Sequence, residues 1–169
     1  MQFQQPENPP DPPVEEIPNA DEISRQIFDP QMFEGSKLSW EKVFIFPTNK
    51  DTKEYYGESV VWRKYAPELD DVHELGCKLE AIKRDRRPQT PASYVGAPTA
   101  TCATVRQLKN ARGSGFAVVH DPSDGQGLHH SEIRLFRADG KVARSEREEL
   151  IMMLQGAFGA VAPHQCPPA

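Results

Sequence analysis

The sequence predicts an α+β domain: a small, mainly antiparallel sheet packed by two principal helices, about 67–86 and 145–158, behind a disordered N-terminal tail. Three observations carry this. Two segments place apolar residues at helical spacing behind helix-start signals. A third, 113–136, sets strand-forming residues on either side of a loop rich in Asp, Pro, Ser and Gly, the pattern of a hairpin. The first 20 residues hold six prolines, several acids and few large apolar groups, too little to offset the entropy of ordering them.

With 169 residues the chain is long enough for one domain and a tail. Hydrophobic residues make up 37% and prolines number 16, which suits a modest core plus segments outside it. The expected division is a tail over 1–20, a single domain over 21–160 with an internal linker at 88–98, and a flexible C-terminus over 161–169. Charge divides as well. Residues 1–35 carry eight acids and one base, and the remainder 17 acids and 19 bases, so a tail of −7 precedes a body of +2. Such a balance argues against binding nucleic acid through bulk charge. Cys77, Cys102 and Cys166 stand far apart with no C-x-x-C pair, which predicts reduced thiols and an intracellular, cytoplasmic protein. There is no secretory pattern at the N-terminus and no apolar run of the roughly 18 residues a membrane helix requires.

In the tail, Pro6 to Pro9 and Pro10 to Pro13 match the P-x-x-P spacing of polyproline ligands, which any proline-rich tail also produces by chance. Asn19 or Asp21 caps a short helix through Phe28, with Ile23 and Ile27 on one side, and Pro30 stops it. Val43 to Phe46 reads as a buried strand ending at Pro47, and Glu58 to Tyr65 as its hairpin partner across a long loop. Pro67 to Arg86 is the clearest helix of the first half. Pro67, Glu68, Asp70 and Asp71 suit its start; Val72, Leu75, Leu79 and Ile82 form its apolar stripe; Lys83, Arg84, Arg86 and Arg87 suit its end. His73 and Cys77, at i and i+4, are a pair able to hold zinc and read here as a structural pair, for want of two further ligands. Pro88 to Pro98 reads as a surface loop. Thr99 to Leu108 allows either a strand or, from Arg106, a helical turn. After the hairpin comes a turn at Ala138–Lys141. Ser145 and Glu148 then make an S-x-x-E capping box ahead of the stripe Leu150, Ile151, Leu154 and Phe158.

The candidate site lies on the hairpin. Strand alternation puts Ser131, Ile133 and Leu135 on a core face and His130, Glu132 and Arg134 on the other. If the register sets His120 against that second row, two imidazoles and a carboxylate converge, a combination that holds a divalent metal such as zinc. His120, His130 and Asp121 are then the ligands and Glu132 the general base on a bound water, with Asp124 and His129 assisting. His130-Ser131-Glu132 resembles the H-x-E element of the zinc deaminases, where the His binds metal and the Glu moves protons. The resemblance covers three residues. Against that family's P-C-x-x-C element this chain has Pro163-His164-Gln165-Cys166, with one cysteine, and Ile133 to Phe136 favours strand over a helix start. The family is not assigned. A P-loop, a G-x-G-x-x-G after a strand, a G-x-S-x-G and an H-E-x-x-H are all missing from the sequence.

Two functions are compatible with these features. The first is a non-enzymatic interaction or accessory protein that binds a protein partner through its acidic, Pro-rich arm, so that deleting residues 1–20 would cost capture and not stability. The second is a metal-dependent hydrolase built on the 116–136 hairpin. Nucleic-acid contact through Arg84, Arg86 and Arg87 ranks third.

Overall fold

The computed structural model describes residues 10–168, so expectations for residues 1–9 and 169 lie outside it. Short strands open the described chain: β1 (Glu22–Ser24), β2 (Ile27–Asp29), β3 (Phe33–Glu34) and β4 (Lys37–Leu38). A single-turn helix α1 (Trp40–Val43) leads to β5 (Glu58–Trp62) and the long helix α2 (Leu69–Arg86). Next come β6 (Ser93–Ala97), β7 (Thr99–Thr101), α3 (Cys102–Gln107) and the hairpin of β8 (Ser114–His120) and β9 (His130–Arg137). A 3-10 turn at Arg144–Glu146, helix α4 (Arg147–Ala157) and β10 (Ala162–Pro163) complete the order. The α+β class and the antiparallel character stand.

Five strands form the main sheet in the order β7-β1-β5-β9-β8, with every neighbouring pair antiparallel. A second sheet, β10-β6-β2, lies under α2, and β3 and β4 form a separate ribbon. One face of the main sheet, through Ile23, Val60, Trp62, Phe116, Val118 and Ile133, packs on α4 through Leu150, Ile151 and Leu154. Each fully buried aliphatic among them contributes about 1.5–3 kcal/mol of transfer free energy. Behind β5, Val61 meets Val72 and Ala66. Phe28, Ala92 and Tyr94 form a third cluster that Cys77, Leu79 and Cys166 flank.

The structure departs from the sequence reading in several places. Residues 19–28 are not helical: Ile23 and Ile27 belong to two strands, each buried by partners more than 30 residues away. Val43 to Phe46 is no strand. Its backbone N–H groups at Ile45 and Phe46 donate to the Glu58 carboxylate, 2.7 Å each, instead of to a neighbouring strand. That carboxylate is also paired with Arg25 at 2.9 Å, whose guanidinium caps the Val43 and Ser59 carbonyls. Consequently β5 pairs with β1 and β9. The expected 88–98 loop contains β6, and the expected flexible C-terminus pairs through β10 with it. The arm is anchored as well, with Ile17 only 2% exposed between largely exposed neighbours. At the last helix Glu146, not Glu148, closes the start, accepting the Ala143 N–H at 2.7 Å.

The roll of α2 about its own axis decides which side chains the fold leaves outside. Its buried residues are Val72, His73, Gly76 and Glu80. A Cβ at Gly76 would lie 2.5 Å from the Tyr94 ring, so glycine here lets the helix sit directly on β6. Glu80 accepts the Tyr94 N–H at 2.7 Å and His73 bonds the Tyr94 hydroxyl at 2.9 Å, so the buried polar groups are partnered. Of the predicted stripe, Val72 is fully buried, Leu75 and Leu79 are half-buried against the second and third clusters, and Ile82 is 45% exposed. Among the described residues no helix is long and apolar enough to cross a membrane.

Candidate functional site

The hairpin register separates the two imidazoles that the sequence placed together. His120 stands opposite Ser131 and Val119 opposite Glu132, so His120 shares the face of Ile133, and His130 and Glu132 take the other. On its face His120 is almost fully buried, edge-on to Trp62 and stacked on Tyr65. Its Nδ1 accepts the Glu15 N–H at 2.9 Å and its Nε2–H donates to the Leu128 carbonyl at 2.8 Å. Both ring nitrogens are thus used.

Across the sheet, His130 donates from Nδ1 to the Asp121 carbonyl at 2.5 Å and accepts the Ser59 hydroxyl at Nε2, 3.0 Å away. The Asp121 carboxylate lies 3.9 Å from His130 Nδ1 and accepts the Ser123 hydroxyl at 2.6 Å. That hydroxyl, with the charges of His130 and Arg134, holds the Asp121 carboxyl below its usual range, against a smaller opposing effect of burial. Glu132 pairs with Arg134 at 2.8 Å. The structure therefore brings Asp121, His130 and Glu132 to one face and leaves His120 on the other. The zinc site expected of His120, His130 and Asp121, with Glu132 as its base, has no shared position, because the period-2 alternation of β8 points His120 into the core.

What the sequence reading missed is the groove beside them. A cavity of about 470 Å³ opens between α2 and the hairpin loop. Helix α2 contributes Leu75, Leu79 and Ile82 together with Lys78 and Arg86. From β5 comes Ser59, and from the hairpin Asp124, Gln126, His129 and His130. Burial lowers the pKa of His129, and the charges of His130 and Lys78 lower it further, so its imidazole favours the neutral form. Arg86 also borders a second cavity of about 200 Å³ with Lys83 and Arg87. Arg84, from the same basic run, is engaged by Glu80 at 2.6 Å. The apolar stripe was visible in the sequence; the signal of its orientation was Gly76, which marks the flank beside Val72 as the one of close approach and leaves Ile82, at the stripe's other margin, exposed.

At the far side of α2 the cysteines correct a second expectation. Cys77 and Cys166 form a disulfide, and Cys102 alone of the three is a free thiol, buried and pushed up to about 11 by desolvation. The spacing argument for three reduced thiols fails because β10 carries Cys166 back across β6 to α2. His164 arrives with it and stacks on His73, ring centroids 4.3 Å apart.

No family model, curated protein or solved structure matches the chain.

Proposed function

We propose that the protein is a non-enzymatic interaction module that holds an acidic segment of a protein partner in the groove between α2 and the hairpin loop. One observation carries this reading: Leu75, Leu79 and Ile82 line one wall of the groove, and Ile82 is 45% exposed there. An apolar helix stripe beside a solvent-open cleft is the geometry by which grooves take amphipathic partner segments. Charge supports the partner's sign. Lys78, Lys83, Arg86 and Arg87 border the two adjoining cavities, and Asp124 is the one acid among the groove's described lining. In this reading the arm straps the body, with Asp11 accepting the Asp124 N–H at 3.2 Å at the groove's edge. The test is selection of peptides from a displayed library, read by fluorescence polarisation. Selected peptides should be acidic and amphipathic, and Ile82→Asp should weaken them roughly tenfold or more with little change in melting temperature. Peptides indifferent to Ile82→Asp would remove the groove from the mechanism.

A second reading rests on the 3.0 Å contact of Ser59 Oγ with His130 Nε2. A hydroxyl bonded to an imidazole whose other nitrogen is held by a third group is the arrangement of a nucleophile and its base. Here Ser59 would attack an ester-type carbonyl and His130 would take its proton, with the Asp121 main chain orienting the ring. This hydrolase needs no metal, unlike the one predicted from sequence. A fluorophosphonate probe should label Ser59 covalently and lose that label in His130→Gln; an unlabelled wild-type chain ends this reading.

A further inference from the structure

The disulfide corner contains more metal-capable chemistry than a disulfide uses. The Sγ atoms of Cys77 and Cys166 and a ring nitrogen of His164 lie within 4.8 Å of one another, and all three residues are half-buried, open to solvent on one side. Zinc, with bonds of about 2.3 Å to sulfur and 2.0 Å to nitrogen, sets tetrahedral ligand atoms about 3.3–3.8 Å apart. Modest side-chain rotation reaches that spacing once the sulfurs are free to part.

The two arms stay adjacent without the sulfur–sulfur bond. On one side α2 is held to β6 by the Gly76–Tyr94 contact and by Glu80. On the other, β10 pairs with β6, Ala162 opposite Ala97 and Pro163 opposite Gly96, and the His164 N–H donates to the Val95 carbonyl at 2.9 Å. The His164 ring is further positioned by its stack on His73, which the Tyr94 hydroxyl holds in turn. A third ligand is thus in place beside the two sulfurs before any metal arrives.

We propose that the reduced chain binds Zn2+ at this corner through Cys77, Cys166 and His164, with the fourth position open to water, and that the disulfide is the metal-free form of the same site. The interconversion balances. A dithiol reductant delivers two electrons to the Cys77–Cys166 bond and becomes its own cyclic disulfide, leaving two thiols. Zinc then displaces two thiol protons to solvent. In reverse, a low-molecular-weight disulfide oxidant accepts two electrons from the zinc-bound thiolates, takes two protons from solvent and leaves as two thiols, and the ion departs. This corner is separate from the groove on the other side of α2, and neither site needs the other.

The experiment uses the full chain, purified without an affinity tag and compared in reduced and disulfide forms, with Co2+ and Zn2+ as probes. The reduced chain should take up one Co2+ with thiolate charge-transfer absorption, displaced by one equivalent of Zn2+, and the disulfide form should take up none. His164→Ala, which keeps both cysteines and the disulfide, should weaken zinc binding roughly tenfold or more. Cys102→Ser should leave it unchanged. If the reduced chain loosens without metal, Zn2+ should restore its near-ultraviolet circular dichroism. Equal metal uptake by both forms, a reduced chain without thiolate absorption, or a loosened chain that zinc does not restore would each overturn the site.

Discussion

Glu146 shows what one buried acid does here. It is 3% exposed, and its carboxylate accepts from the Asn110 amide at 2.9 Å, the Ala143 N–H at 2.7 Å and the Ser114 hydroxyl at 2.8 Å. Those three donors, Asn110 foremost, bring its pKa from the ordinary 4.5 down to about 2. A folded-state pKa below the unfolded one means that the stabilisation is complete above the ordinary glutamate value. It is then lost as pH falls from about 4.5 toward 2. Glu146→Gln keeps the shape but offers the Ala143 N–H and Ser114 one acceptor in place of two. Its melting temperature should fall below wild type at pH 7, and the gap should narrow steadily between about pH 5 and 2.5, as differential scanning calorimetry in a pH series would read. A constant gap would mean that shape, and not charge, sets the difference. Ser114 belongs to the Gly113-Ser114-Gly115 run, whose role is structural: a Cβ on Gly115 would collide with the Leu108 carbonyl oxygen.

At the scale of elements, the arm and α2 both depart from their composition. Proline and acid content predicts an unpacked segment to residue 20, yet three contacts hold residues 15–19. Ile17 enters the main core. Arg106 donates to the Ile17 carbonyl, the Asn19 side chain and the Val118 carbonyl, each within 2.9 Å. Glu15 pairs with Lys64 at 2.6 Å and accepts the Tyr65 hydroxyl. Ile17→Ala should therefore cost about 2–5 kcal/mol in urea denaturation, whereas Val14→Ala, at a position 72% exposed, should cost close to nothing. Equal and small effects would return the segment to the status of a plain tail. The same physics corrects the expectation that losing residues 1–20 spares stability, since that deletion takes Ile17 with it. In α2 the periodicity was legible and its direction was not. A stripe at i, i+3, i+7 and i+10 says that one face is apolar, but Gly76 and a partnered Glu80 set the line of closest approach, so that Val72 is fully buried while Ile82 is 45% exposed.

Over the whole molecule, the sequence by itself determined the elements whose signals are local. The hairpin, α2 and the last helix carry their periods of 2 or 3.6 within a dozen residues, and the inward face of β9 followed from alternation alone, with Ser131 and Ile133 fully buried as expected. The α+β class followed from these three. Tertiary structure decided everything whose partners lie far along the chain. Strands of two to five residues such as β1, β2, β6 and β10 hold too few side chains to show a period, and they exist because a distant edge receives their backbone bonds. Register decided the site. A slip of one residue between β8 and β9 would have put His120 beside His130 and Glu132, and the observed pairing put it beside Ser131 and Ile133 instead. The cysteines were decided the same way. Residues 77 and 166, 89 positions apart, meet with His164 only because β10 returns across β6, a juxtaposition that no local pattern contains.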